Sequence, residues 1–172
     1  MNEYVTDAIV LDREVTGESD SRVFLFTKLL GRVTARAKSS KKIYSKLSGH
    51  LEPLTIVTVR LVEKSGFQIV DAVACGRVAK ESGKICEVLT VLAMIKRLTE
   101  PHHPDAELWQ LIERGELLGR SFLKIMGFDP EHARCDQCER PNPSYFIPSD
   151  SLYRCRSCLG RRTTSDFELS VV

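Results

Sequence analysis

Four cysteines place the strongest constraint on what this chain can fold into. Cys135 and Cys138 stand as "CDQC", and after sixteen residues Cys155 and Cys158 stand as "CRSC". The spacing C-x2-C-x16-C-x2-C falls within the zinc-site template. A C-x2-C turn points two thiolates at one centre, and two such turns supply the four soft ligands of a closed tetrahedral site. A span this short cannot build its own core, so metal binding, worth roughly 10–16 kcal/mol of apparent free energy in small zinc peptides, would supply its fold. With every position filled by protein, none is left for a substrate or catalytic water, and the expected ion is one structural Zn2+. A redox pair or two disulfides would use the same residues, but a redox C-x-x-C is expected once, beside a βαβ pattern, and that context is absent. Between the pairs, "SYFIP" and "SLYRC" predict two short strands around a turn, a zinc-ribbon-like unit at about residues 131–162. His132 reads as a helix-end or loop residue. Cys75 and Cys86 lack partner spacing and read as small buried hydrophobes.

The first seventy-odd residues are strand-rich. "YVTDAIVLD", "RVFLFTK", "GRVTARAKS", "LTIVTVRLVEK" and "FQIVDAVA" are β-branched or aromatic runs separated by Gly, Ser, Asp or Lys. Five strands of this size predict a small barrel. From about Lys80 the period changes: Ile85, Val88, Leu89, Leu92, Ile95 and Leu98 form one helical stripe before Pro101. Asp105 is placed to cap a second helical stretch, with Leu108, Leu111, Ile112, Leu118, Phe122, Ile125 and Met126 on its apolar side, and Gly115 and Gly119 as points where it can split. His102 and His103, between two prolines, read as loop residues. The expected class is α+β, with a barrel domain at residues 1–78 and a helical domain carrying the zinc unit at 79–172.

Charge is placed unevenly on this framework. From Lys28 to His50 there are seven Lys or Arg and no acid, which leaves 18 of the 25 basic residues to face all 23 acidic ones elsewhere. Such a concentration marks a surface that meets phosphates or an acidic partner, although charge runs also serve as solvated faces. In the third strand Val33, Ala35 and Ala37 alternate with Arg32, Thr34, Arg36 and Lys38, so a period of two turns the apolar set inward and the basic set outward. The following "SSKKIYSKL" extends the cationic stripe through Lys41, Lys42 and Lys46, with Tyr44 in its middle. A five-stranded barrel with a basic strand, a basic loop and an aromatic side chain is how oligonucleotide-binding (OB) folds hold phosphates and stack bases. Tyr44 fits base stacking and fits equally a hinge packed back on the barrel.

No G-x4-G-K-[ST], G-x-G-x-x-G, H-E-x-x-H or G-x-S-x-G occurs, so the expectation is a binding protein and not an enzyme. No stretch approaches the roughly 18 consecutive apolar residues of a membrane span, and "MNEYVTD" lacks the regions of a signal peptide; the expected location is the cytoplasm, with no membrane partner.

The ordered segments "DAIVLDREVTGESDSRVFLFTKLLGRVTARAKSSKK", "LSGHLEPLTIVTVRLV" and "FLKIMGFDPEHARCDQC…CRSC" resemble the RecO family of bacterial recombination mediators. The "GESD" before an apolar strand, the "GR" opening the basic strand and the "GHLEP" entering the next carry the resemblance. It implies an N-terminal OB barrel, a helical domain and a zinc-binding insertion. It also implies a nucleoid-associated DNA-repair protein that binds single- and double-stranded DNA, anneals complementary strands and works with RecR to load RecA on DNA coated by single-strand-binding protein, itself a further partner. Carried onto this chain, DNA contact falls to Arg32, Arg36, Lys38, Lys41, Lys42 and Lys46, and zinc to Cys135, Cys138, Cys155 and Cys158. The reading from another class is a zinc-ribbon adaptor of transcription or translation, in which the barrel binds RNA or protein without annealing.

Overall fold

The computed structural model describes residues 1–16, 20–38, 49–78, 84–159 and 169–170. Five strands, β1 (Asn2–Thr16), β2 (Asp20–Thr27), β3 (Gly31–Ala37), β4 (Thr55–Glu63) and β5 (Phe67–Arg77), close a barrel in the order β1-β2-β3-β5-β4. All neighbours are antiparallel except β3 and β5, which run parallel with Arg36 opposite Gln68. This is the OB arrangement, with no free edge left by the closed ladder. The long β1 makes closure possible, pairing with β4 through Asn2–Ile9 and with β2 through Ala8–Thr16, and a register shift between Val10 and Asp12 marks the bend.

The run Ala8-Ile9-Val10-Leu11 is buried at every position, which an antiparallel strand with one wet face would not tolerate. Both of its faces are covered. Ala8 and Val10 join Val23, Leu25, Val33, Ala35, Val57, Val59 and Leu61 inside the barrel. Ile9 and Leu11, with Phe26 and Leu54, turn outward into a second core built by the helices. Those helices are α1 (Ile85–Leu98), α2 (Ala106–Arg114) and α3 (Gly119–Ile125). Lys96 of α1 reaches back to β1, 2.8 Å from Asp12 and 3.1 Å from Glu14, and lies 3.5 Å from the centroid of the Phe24 ring. Burial opposes its charge, but the two carboxylates outweigh that and raise its pKa.

Asp105 caps α2 as expected, accepting from the Leu108 N–H at 2.9 Å. The second helical stretch does split: Gly115 (φ 69°) ends α2 in the left-handed region that favours glycine. The break resets the helical phase, so Leu117 and Leu123 are buried while Leu118 is 39% exposed. In α1 the buried set includes Val91 and Met94, and Leu89 faces out. A helix covered by a barrel on one side and helices on another has a wider apolar arc than one stripe describes.

Beyond a short 3-10 turn (Pro130–His132), strands β6 (Tyr145–Ile147) and β7 (Leu152–Arg154) form the expected hairpin, with β8 (Leu169–Ser170) pairing on the other side of β6. Phe146 and Tyr153 pack with tilted rings 5.0 Å apart and enter the helical core, and the Tyr153 hydroxyl donates to the Phe128 carbonyl at 2.6 Å. Burial, followed by the nearby Asp129 charge, pushes that phenol up to about 12. No described helix is long and apolar enough to cross a membrane.

Candidate nucleic-acid interface and metal centre

Strand β3 alternates as its sequence implies: Val33, Ala35 and Ala37 are buried, while Thr34, Arg36 and Lys38 are exposed. The cations of this stretch nevertheless fall into two groups. Arg32 is half-buried, its Nε donates to the Thr99 carbonyl at 2.9 Å, and its own carbonyl accepts from the His102 N–H at 3.0 Å. Lys28 pairs with Glu113 at 2.8 Å, and Glu113 also accepts from the Trp109 indole at 2.6 Å. The hydrogen bonds from Lys28 and then Trp109 hold the Glu113 carboxyl below its ordinary range. These two cations tie the barrel to the helices. Glu113, distant in sequence, offsets the Lys28 charge, and a distant backbone carbonyl takes Arg32.

Arg36 and Lys38 face the other way. Arg36 keeps its side chain 64% exposed while pairing with Asp20 of β2, with Nε at 2.9 Å from the carboxylate. Two shallow clefts meet at Arg36. One, of about 380 Å³, includes Arg22 and Thr34; the other, of about 400 Å³, includes Lys38, Lys64, Ser65 and Gln68. Arg22 stands opposite Arg36 in the β2–β3 register. Arg22 and Lys64 were missed by reasoning along the chain. Period-two alternation in "SRVFLFT" turns Arg22 outward, but only the register brings it beside Arg36. Lys41, Lys42, Tyr44 and Lys46 lie outside the described residues.

The opposite end of β3 depends on a close approach. Gly31 has φ 63°, and a Cβ built there would stand 2.1 Å from the His103 carbonyl oxygen. The His102 ring stacks on Phe67 at 5.5 Å, so the Pro-His-His-Pro segment is docked on the barrel. Gly31→Ala is expected to cost about 1–3 kcal/mol through the left-handed backbone alone, with further loss as His103 is pushed off. Thermal unfolding of the variant measures it.

The four predicted cysteines converge. Their sulfurs all lie within 4.8 Å of one another and could hold a metal ion. Cys138 Sγ and Cys155 Sγ are 3.6 Å apart, close to the edge of about 3.8 Å expected for tetrahedral sulfurs at about 2.3 Å from one ion. Turn geometry builds the site: the Cys135 N–H donates to the Arg140 carbonyl at 2.9 Å, and the Cys155 N–H donates to Cys135 Sγ at 3.4 Å. Cys135 is buried and Cys138 exposed. The Ser157 hydroxyl and then the Cys158 thiol bring Cys155 down to about 6, whereas Cys158, donating to Cys155 and Cys138, is pushed up to about 12. Burial opposes ionisation of Cys135, but backbone N–H groups led by that of Cys155 lower its pKa. Cys155 and Cys135 are thus biased toward the thiolate, the form that binds a soft ion. His132 is exposed and is not among the clustered groups.

Cys75 and Cys86, expected to be buried, are both exposed. In β5 the register slips twice against β4, between Leu61 and Arg60 and again between Val57 and Ile56. The second slip leaves Cys75 as the extra residue, so alternation cannot carry it inward. Cys86 lies on the outer side of α1.

Residues 1–77 match the family model described as recombination protein O N terminal. A DNA repair protein RecO of Myxococcus xanthus is 35% identical over 118 residues, covering 66% of this chain and 48% of the relative. Proteins of the same name from Thermodesulfovibrio yellowstonii and Dehalococcoides mccartyi are each 26% identical, covering 90% and 99% of this chain and 70% and 75% of the relatives. The chain thus spans about half of the first of these relatives and about three quarters or less of the others. Residues 1–77 thus match the N-terminal domain of the RecO family on an OB barrel, and the similarity to RecO proteins continues through the helices and the cysteine cluster.

Proposed function

We propose that this chain is a recombination mediator of DNA repair, acting in the bacterial cytoplasm. Its cationic barrel face holds DNA backbone without reading sequence, so that complementary strands meet with their base edges free. Annealing of this kind needs no catalytic group and no hydrolysed cofactor. The observation that carries the reading is the joint exposure of Arg22, Arg36, Lys38 and Lys64 around one side of the barrel; the Lys-rich stretch 39–48 follows Lys38 in the sequence. The names of the relatives support DNA repair as the setting. RecR, through which RecA would be loaded on DNA coated by single-strand-binding protein, is the partner assigned by the resemblance. The ion in the cysteine cluster is Zn2+, whose preference for four thiolates in a tetrahedron matches the donor set. Its role is to hold the two knuckles together.

Annealing of two complementary labelled oligonucleotides, bare and then coated with single-strand-binding protein, tests the mediator reading. If about four cations neutralise phosphates, log K for single strands falls against log salt with a slope of about −3. A flat salt dependence, or no acceleration by folded and zinc-loaded protein, would overturn it. Equal or tighter binding of RNA without annealing would point to the adaptor.

A further inference from the structure

A buried charge directly before the second cysteine knuckle in sequence has little opposing charge around it among the described residues. Arg154 ends β7, directly before Cys155, and its side chain is only 10% exposed. Its Nε has no hydrogen-bond partner. Among the described residues its one ion pair is loose, 3.8 Å from a carboxylate oxygen of Asp136, whose own side chain is 37% exposed. A guanidinium taken out of water normally gains bidentate carboxylate bonds or several acceptors. Among the described residues, this one is held in place without them.

The two knuckles supply what is missing. Asp136 directly follows Cys135, and its N–H donates to the Tyr153 carbonyl at 2.9 Å, so the first knuckle is pinned against the strand that carries Arg154. A divalent ion on four thiolates leaves roughly two net negative charges. That charge would stand one residue beyond Arg154 in the chain and one residue before Asp136, at a cluster whose Cys135 is buried. We infer that Arg154 is a positioning residue for the metal centre: its guanidinium balances the charge of the metal and its four thiolates and braces the second knuckle against the first. The inference rests on reading the cluster as a zinc site.

The experiment begins with the zinc content of the purified native chain. A chain that takes up no zinc sinks the zinc reading itself. With zinc bound, chelator competition compares the native chain with Arg154→Met, Arg154→Lys and Asp136→Asn, and thermal unfolding is followed with and without metal. Outer-shell partners of metal sites typically tune affinity by 10–100-fold, so Arg154→Met is expected to weaken zinc by about that factor, whereas Arg154→Lys and Asp136→Asn stay within about threefold of the native chain. Metal-free Arg154→Met is expected to unfold no earlier than the metal-free native chain, because the uncompensated cation is gone. Native zinc affinity in Arg154→Met would overturn the inference. So would equal loss of thermal stability with and without metal, which marks a packing role, or an Asp136→Asn loss matching that of Arg154→Met, which assigns the charge to the ion pair alone. Should Arg154→Met fail to fold, Arg154→Lys decides: retained zinc affinity supports charge balance, and lost affinity refutes it.

Discussion

Cys135→Ser, or removal of the metal by a chelator, is expected to unfold residues 131–159 and loosen the helical core while leaving the barrel folded. The cysteine element contains two strands of three residues each, far below what holds a sheet together in water. Its apolar anchors are Phe146 and Tyr153, and both are lodged among the helices against Phe128. Loss of a ligand removes a large part of an apparent binding energy of about 10–16 kcal/mol. The disturbance then passes through Phe146 and Tyr153 into the packing of α3. The barrel core shares none of its residues with that cluster. Hydrogen exchange at the amides of Asp136, Phe146 and Cys155 is therefore expected to rise at least about 100-fold, with β2 and β3 unchanged. Matching acceleration in β3 would show one cooperative unit instead.

Reversing the outer charges is expected to abolish most DNA binding without unfolding the chain. On the proposed reading, Lys41→Glu, Lys42→Glu and Lys46→Glu combined with Lys38→Glu remove about four phosphate contacts, which at physiological salt corresponds to about 100-fold or more in affinity for single strands. The salt slope should collapse with it. Arg36→Glu alone should act more weakly, because Asp20 already offsets the Arg36 charge. Arg32→Ala should behave in the opposite way. Its Nε bond to the Thr99 carbonyl joins barrel to helices, and hydrogen bonds from charged groups contribute about 1.5–3 kcal/mol. Thermal stability should fall while the salt slope stays. Equal salt-slope losses for Arg32→Ala and the quadruple variant would show that all of β3's cations meet phosphate.

Residues whose neighbours are close in sequence were legible without coordinates. The C-x2-C turns converge because each is a local structure, and the Asp105 cap needs only the Leu108 N–H three residues on. Alternation along β3 was equally readable, since a period of two belongs to the strand itself. The relatives and the resemblance agree on the family for the same reason: short ordered motifs survive as sequence. Distant segments decided the rest. Arg32 is tied to the helical side because the turn after α1 offers it the Thr99 carbonyl, and Lys28 because α2 brings Glu113. Cys75 turned outward because β5 slips against β4, which no periodicity along β5 alone records. Arg22 and Lys64 joined the cationic face through register and hairpin closure. Leu117 replaced Leu118 in the core because the left-handed Gly115 resets the helical phase. Local chemistry thus determined the elements, the cap and the cysteine turns, whereas contacts between distant segments decided which cations are tied to the helices and which line the clefts beside β3.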